Sequence, residues 1–115
     1  MRYKLTVRLL EEDKAFFGPG VVQLAEHVEK GMSLRQAALA MGMAYSKAWR
    51  IVTEFQTATG FPLIECQRGG LGGGGSVLTT EGKRLLDGYR DFIKKATDQC
   101  DRLYNECLVE CMPRR

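Results

Sequence analysis

"SLRQAALAMGMAYSKAWRIVTEF", residues Ser33 to Phe55, carries two apolar stripes of helical period divided by a glycine. Leu34, Ala37, Ala38 and Met41 share one helical face, and Ala48, Ile51, Val52 and Phe55 share another. The start of the first helix is signalled by Ser33, whose hydroxyl can accept from the first turn while Gln36 reaches back, the pattern of a capping box. Gly42 stops that helix, and after a turn of about three residues the periodicity resumes at Tyr45. Ser46, Lys47, Arg50 and Thr53 then fall opposite the apolar stripe of the second helix, and Ala37 and Ala38 are small enough for the helices to cross closely. This is the outline of a helix-turn-helix. An ordinary helical hairpin with a solvated basic face has the same periodicity.

Downstream, "GFPLIECQRGG" supplies the short apolar run Leu63–Ile64 behind Pro62, a residue suited to a strand's first position or edge. Residues 69 to 75 contain six glycines, and Val77–Leu78 follow as a second apolar pair. Two short strands around a glycine-rich tip make a hairpin, and a hairpin directly after a helix-turn-helix is a wing. Two other readings of the glycines compete. A phosphate-cradling loop of the Walker type needs a Gly-Lys-Ser/Thr ending, which "GGGGSV" lacks. A flexible tether is suggested by "GGGGS" itself, but flanking strands that pair across the run, and a chain too short for two independent cores, weigh against it.

Upstream, Tyr3, Leu5, Val7 and Leu9 alternate with Arg2, Lys4, Thr6 and Arg8, which predicts a strand with one buried face. "FFGPG" interrupts the chain, and Val21, Leu24, Ala25 and Val28 mark a helix that Gly31 ends.

The chain has 115 residues, enough for one domain with a modest core, and a formal charge of +3, which permits an anionic partner without requiring one. It contains no apolar run long enough to span a bilayer, and "MRYKLTVRLLEEDK" lacks the h-region of a secretory signal. A cytoplasmic location is therefore expected, with the four cysteines mostly reduced.

The helix-turn-helix stretch, followed by "GFPLIECQRGGLGGGGSVLTTEG", resembles the N-terminal winged-helix domain of ModE-type, molybdate-responsive transcription regulators, and more distantly the LysR-type DNA-binding domain. The resemblance covers roughly residues 3 to 110, and its most specific elements are Y-x-x-A-W at Tyr45 to Trp49 and the glycine-rich wing leading into "LT". It implies a mainly α fold with a small β-hairpin wing: a winged helix-turn-helix with a long C-terminal dimerisation helix. The expected layout is a single domain over 1–115, with the helix-turn-helix at about 33–59, the wing at about 62–78 and the last helix at about 79–110. "AYSKAW" departs from the family's "SYKSAW" by exchanging serine and lysine, so no base preference carries over.

The DNA surface expected on these grounds has Ser46, Lys47 and Arg50 on the outward face of the second helix. Arg50 is suited to a guanine edge and Lys47 to a phosphate. Ser33 and Arg35 are placed to touch the DNA backbone, Tyr45 can offer its hydroxyl to a phosphate, and Gln67 and Arg68 approach a wing tip whose Gly70, Gly72 and Gly73 allow close backbone approach. Trp49 is read as core. Taken singly, each exposed cation is an ordinary solvated charge; the motif is what groups them.

"TTEGKRLLDGYRDFIKKATDQCDRLYNECLVEC" starts with Thr79 as N-cap, and Leu86, Tyr89, Ile93, Ala96, Cys100, Leu103 and Cys107 recur as a heptad seam. At ~1.5 Å per residue that helix is on the order of 45 Å long, more than so small a body covers. A homodimer through this seam is the expectation, with packing of one end on the chain's own body as the alternative. Cys66, Cys100, Cys107 and Cys111 lack the close pairs of structural zinc sites, and burial as small hydrophobes is the reading preferred over a metal or disulfide sensor. His27 is read as a surface residue. Neither a catalytic group nor a metal or cofactor site can be assembled from one histidine and scattered acids.

The resulting expectation is a sequence-specific transcription regulator that binds promoter duplex DNA as a homodimer, is not an enzyme, and has no membrane contact and an unassigned effector. Because the match ends before the oxyanion-binding domains of the full-length regulators, it is expected to stand alone without a molybdate-binding domain. The alternatives are a protein-interaction module built on the same fold and a cysteine-based redox or metal-sensing regulator.

Overall fold

The computed structural model describes residues 1–66 and 75–113. The first regular element is a hairpin of β1 (Leu9–Glu11) and β2 (Lys14–Phe17), paired antiparallel with Glu11 opposite Lys14. Glu12 and Asp13 turn the chain with φ of 49° and 68°, both in the left-handed region that hairpin turns of this length require. The register slips between Leu9 and Leu10, leaving Phe16 as an extra residue.

The strand expected over the opening residues is therefore displaced, because pairing begins only at Leu9. Residues 1–8 instead run along the last helix. The Tyr89 hydroxyl donates to the Val7 carbonyl at 2.7 Å, and the Tyr3 ring lies 4.9 Å from that of Tyr104. The Tyr3 hydroxyl donates to the Asp101 carboxylate, and this hydrogen bond, which holds the phenol protonated, pushes its pKa up to about 12. The alternation in the sequence marks which side chains face the helix, Tyr3 and Val7 being half-buried, without marking a sheet.

Pro19 opens α1 (Pro19–Glu29), where its missing N–H costs nothing, and Val22, Leu24, Ala25 and Val28 are buried. The connection to α2 (Leu34–Ala40) passes through Gly31 at φ 103°. The predicted capping box is present: Ser33 Oγ accepts from Gln36 N at 3.1 Å, and Gln36 Oε1 accepts from Ser33 N at 2.9 Å. After a turn at Gly42, α3 (Tyr45–Thr59) buries Ala48, Val52 and Phe55 and stops at Gly60, φ 83°.

The wing strands β3 (Ile64–Cys66) and β4 (Ser76–Leu78) pair antiparallel, Ile64 opposite Leu78 and Cys66 opposite Ser76. At their base Thr79 joins wing to helix. Its Oγ1 donates to Pro62 O at 2.7 Å and accepts from Gly82 N at 2.9 Å, capping α4 (Thr80–Tyr104) as predicted. A Cβ on Gly82 would lie 2.5 Å from the Leu63 carbonyl oxygen, so only glycine lets α4 start this close to the wing.

The core is centred on Phe17, Leu24, Leu34, Phe55, Leu63 and Leu86, all essentially inaccessible. The Phe17 ring sits 5.8 Å from Phe55 and 5.3 Å from Tyr89, so one aromatic from the first hairpin joins α3 to α4. Beyond this core α4 continues to Tyr104, covered on one side by the opening segment, and loosens into a π-helical turn at Asn105–Val109, giving a molecule 62 Å in its longest dimension. The architecture is a winged helix-turn-helix with a long C-terminal helix.

Candidate nucleic-acid interface

The outer side of α3 follows from its burial. With Ala48, Val52 and Phe55 inward, successive residues turn by roughly 100°, so in the N-terminal half of α3 Arg50 and Ser46 point most nearly away from the core. Ser46, Lys47 and Arg50 are exposed. Among the described residues no carboxylate forms an ion pair with Arg35, Lys47 or Arg50. Between α1 and α4, Arg90 pairs with Glu26 at 3.1 Å and Glu29 at 2.7 Å, and Lys83 pairs with Glu29 and Asp87. Two hydrogen-bonded cations hold the Glu29 carboxyl down at about 2, Arg90 contributing first and Lys83 second.

At the junction of α2 and α3, the Arg35 guanidinium carbon lies 4.2 Å from the centre of the half-buried Tyr45 ring. Tyr45 in turn meets Trp49 edge-on, with centroids 6.1 Å apart and planes at 73°. Trp49 is 43% exposed, which corrects its assignment to the core: lying one residue past Ala48, it sits on the flank of the helix, beside Tyr45 and the wing base. Ser33 is half-buried and its oxygen is committed to the capping box, leaving its O–H to donate. Gln67, Arg68, Gly70, Gly72 and Gly73, expected at the wing tip, lie outside the described residues.

The chain is 34% identical over 89 residues to the DNA-binding transcriptional dual regulator ModE of Escherichia coli (strain K12), covering 77% of this chain and 34% of that protein. It carries a ModE-type regulator domain. The transcriptional regulator ModE of Haemophilus influenzae is 34% identical over 94 residues, 82% of this chain and 36% of its own length. The molybdenum-pterin-binding protein MopB of Rhodobacter capsulatus is 32% identical over 81 residues, 70% and 30% of the two chains. The ModE-type domain described here thus spans about a third of the length of the relatives it matches. No family model matches the chain.

In this ModE-type domain the expected seam of α4 divides in two. Leu86 and Tyr89 are buried in the chain's own core, so they are corrected from contacts between copies to contacts within one. Ile93, Ala96 and Cys100 are half-buried, while Leu103 and Cys107 are exposed. Phe92, adjacent to the predicted seam at Ile93, is 57% exposed and shares a face with Ala96 and Leu103 at helical spacing. The residues that cover α4 from the other side, Tyr3 and Val7, are what rotate its free face away from the predicted seam.

The cysteines of the ModE-type domain are not the buried hydrophobes expected: Cys66, Cys107 and Cys111 are exposed and Cys100 is half-buried, all four as free thiols. Their cause is position, since Cys107 and Cys111 lie past the end of the core and Cys66 is on an outward-facing strand. Among the described residues no three His, Cys, Asp or Glu side chains converge on a common point where a metal could sit. His27 is half-buried, with Nδ1 shielded from solvent, so it is not a surface residue. No helix among the described residues is long and apolar enough to cross a membrane.

Proposed function

We propose that this chain is the duplex-DNA-binding module of a transcription regulator and that it reads DNA as a homodimer. The observation that carries the reading is the set of exposed cations, Arg35, Lys47 and Arg50, that have no carboxylate partner among the described residues and lie along the helix-turn-helix. Unpaired guanidinium and ammonium groups on a convex helix match the phosphates and guanine edges of a major groove. The ModE relatives are named as transcription regulators, one of them as DNA-binding, which supports the same reading.

In this arrangement the N-terminal half of α3 enters the major groove. Ser46 and Arg50 face base edges, and Lys47 faces a phosphate. Ser33 and Arg35, at the start of α2, hold the flanking backbone, with the Tyr45 ring fixing the Arg35 guanidinium. Gln67, Arg68, Gly70, Gly72 and Gly73 would supply the wing's contacts. Two copies pair through the distal part of α4, with the exposed Phe92 and Leu103 at the centre and the half-buried Ile93, Ala96 and Cys100 and the exposed Cys107 beside them. Pairing sets two α3 helices on one side of a duplex, about one helical turn of 10–10.5 base pairs apart or a multiple of it.

Selection from a random duplex library at moderate salt tests this. Enrichment of a palindrome with that half-site spacing is the expected result. Retention without any motif that vanishes as salt rises would reduce the function to phosphate attraction, and no retention would overturn the reading in favour of protein docking.

A further inference from the structure

Two exposed large apolar side chains on the helix-turn-helix, Leu39 and Trp49, have no place in the contacts above, and Trp49 is the one that borders the wing. Trp49 is 43% exposed on the half of α3 that faces outward, and its orientation is fixed by the edge-on contact with Tyr45, itself held beneath Arg35. Its indole N–H has no acceptor among the described residues. The ring borders a groove whose other wall is the wing base, with Thr53, Gln56, Pro62, Ile64 and Cys66 around it. The Thr53 hydroxyl donates back to the Trp49 carbonyl at 2.8 Å, so it does not compete for that groove.

We propose that Trp49 is a DNA-contact residue that packs its ring on the deoxyribose of the strand running between α3 and the wing, with Nε1–H donating to a phosphate oxygen. This rests on the reading of the chain as a duplex-DNA-binding module. The direction of the ring selects sugar over base. Arg50 points most nearly away from the core, whereas Trp49 is turned roughly 100° back toward the wing. A side chain on that flank meets the wall of the groove, which is sugar and phosphate, while the floor is left to Ser46 and Arg50. Deoxyribose offers the only sizeable apolar C–H surface of that wall, and an indole, apolar over its faces with one donor at its edge, matches sugar and phosphate together. A contact of this kind sets the depth and tilt of α3 without reading sequence, so it would strengthen binding to all duplexes alike.

The chain has one tryptophan, so its emission reports this side chain alone. Unlabelled mixed-sequence duplex of about 30 base pairs, long enough for two half-sites one turn apart, is titrated at low salt while acrylamide quenching is followed. Binding is measured in parallel by anisotropy of the same duplex carrying fluorescein. The expected result is at least about a threefold fall in the quenching constant at saturation, and about tenfold weaker binding by Trp49→Ala with an unchanged salt slope, a tenfold loss being about 1.4 kcal/mol. Trp49→Phe, which keeps a ring and loses the donor, should fall between, and both variants should melt at the wild-type temperature. Saturating anisotropy with undiminished acrylamide access, or wild-type affinity in Trp49→Ala, overturns the proposal while leaving DNA binding intact. A loss confined to thymine-containing duplexes and abolished by uracil replacement would move the contact to a base methyl and overturn the sugar assignment. A duplex that fails to bind at any salt overturns this proposal together with the functional reading beneath it.

Discussion

The hydroxyl of Ser76 accepts the backbone N–H of Leu34 at 3.2 Å, joining the first strand residue after the glycine run to the first turn of α2 across 42 positions of sequence. Ser76 is 7% exposed, so its oxygen satisfies an amide that the capping box leaves open in a place water reaches poorly. Ser76→Ala should therefore lower stability by about 1–3 kcal/mol, the cost of a buried unsatisfied group. Denaturant unfolding checks this. Wild-type stability in the variant would mean that water replaces the hydroxyl.

Gly82 is tested the same way from the other end of the wing. Because its missing Cβ leaves room for the Leu63 carbonyl, Gly82→Ala should destabilise by about 1–3 kcal/mol, whereas Gly88→Ala on the same helix, where a Cβ meets nothing, should be neutral or stabilising. Equal melting temperatures for the two variants would contradict the close approach.

Glu29 makes stability depend on acid. Its folded pKa of about 2 lies below the 4.5 of the free side chain, so the stability it contributes is complete above about pH 4.5 and is lost as pH falls toward 2. The cluster is partly solvated, so its pairs are screened and weaken with salt. Melting curves across that range should fall more steeply for the wild type than for Glu29→Gln. Parallel curves would show that the pairs with Arg90 and Lys83 contribute nothing.

Arg50 and Lys47 should fail differently. Arg50→Ala should cost about 1–3 kcal/mol on a selected site and relax preference at one position. Lys47→Ala should weaken all duplexes alike and reduce the salt slope by about 1. The reverse pattern in binding titrations would exchange their roles.

The two ends of α4 should also separate. Phe92→Glu or Leu103→Glu should shift sedimentation from dimer toward monomer with little change in melting of the monomer. Leu86→Ala should instead lower stability by about 2–5 kcal/mol, as expected for a buried leucine, without dissociating copies. A wild-type chain that sediments as a monomer would remove the dimer.

What was legible in the sequence was local. The Ser33–Gln36 box, the Thr79 cap and the glycine stops at Gly31 and Gly42 each depend on neighbours within a few residues, and periodicity alone placed α1, α2 and α3. The first hairpin was hidden because its turn uses Glu12 and Asp13 at positive φ, where glycine or asparagine would have announced it. Of the proposed DNA surface, the outward direction of Ser46, Lys47 and Arg50 was readable from the stripe on the far side. Trp49 was not, because a flank position is covered or bare according to the wing, which arrives from distant sequence. Ser76 carries no sequence sign of its bond to Leu34, 42 positions away, and the free face of α4 is set by Tyr3 and Val7 from the opposite end of the chain.

That last contact has a consequence for synthesis. Tyr3 and Asp101 are 98 positions apart and Val7 and Tyr89 are 82 apart, so the opening segment lacks its full surface until residue 101 has left the ribosome. The helix-turn-helix can be assembled while residues 1–8 are still waiting. Their docking therefore follows assembly of the helix-turn-helix, and nascent chains arrested before residue 101 should expose the N-terminus to proteases that chains extending past α4 resist.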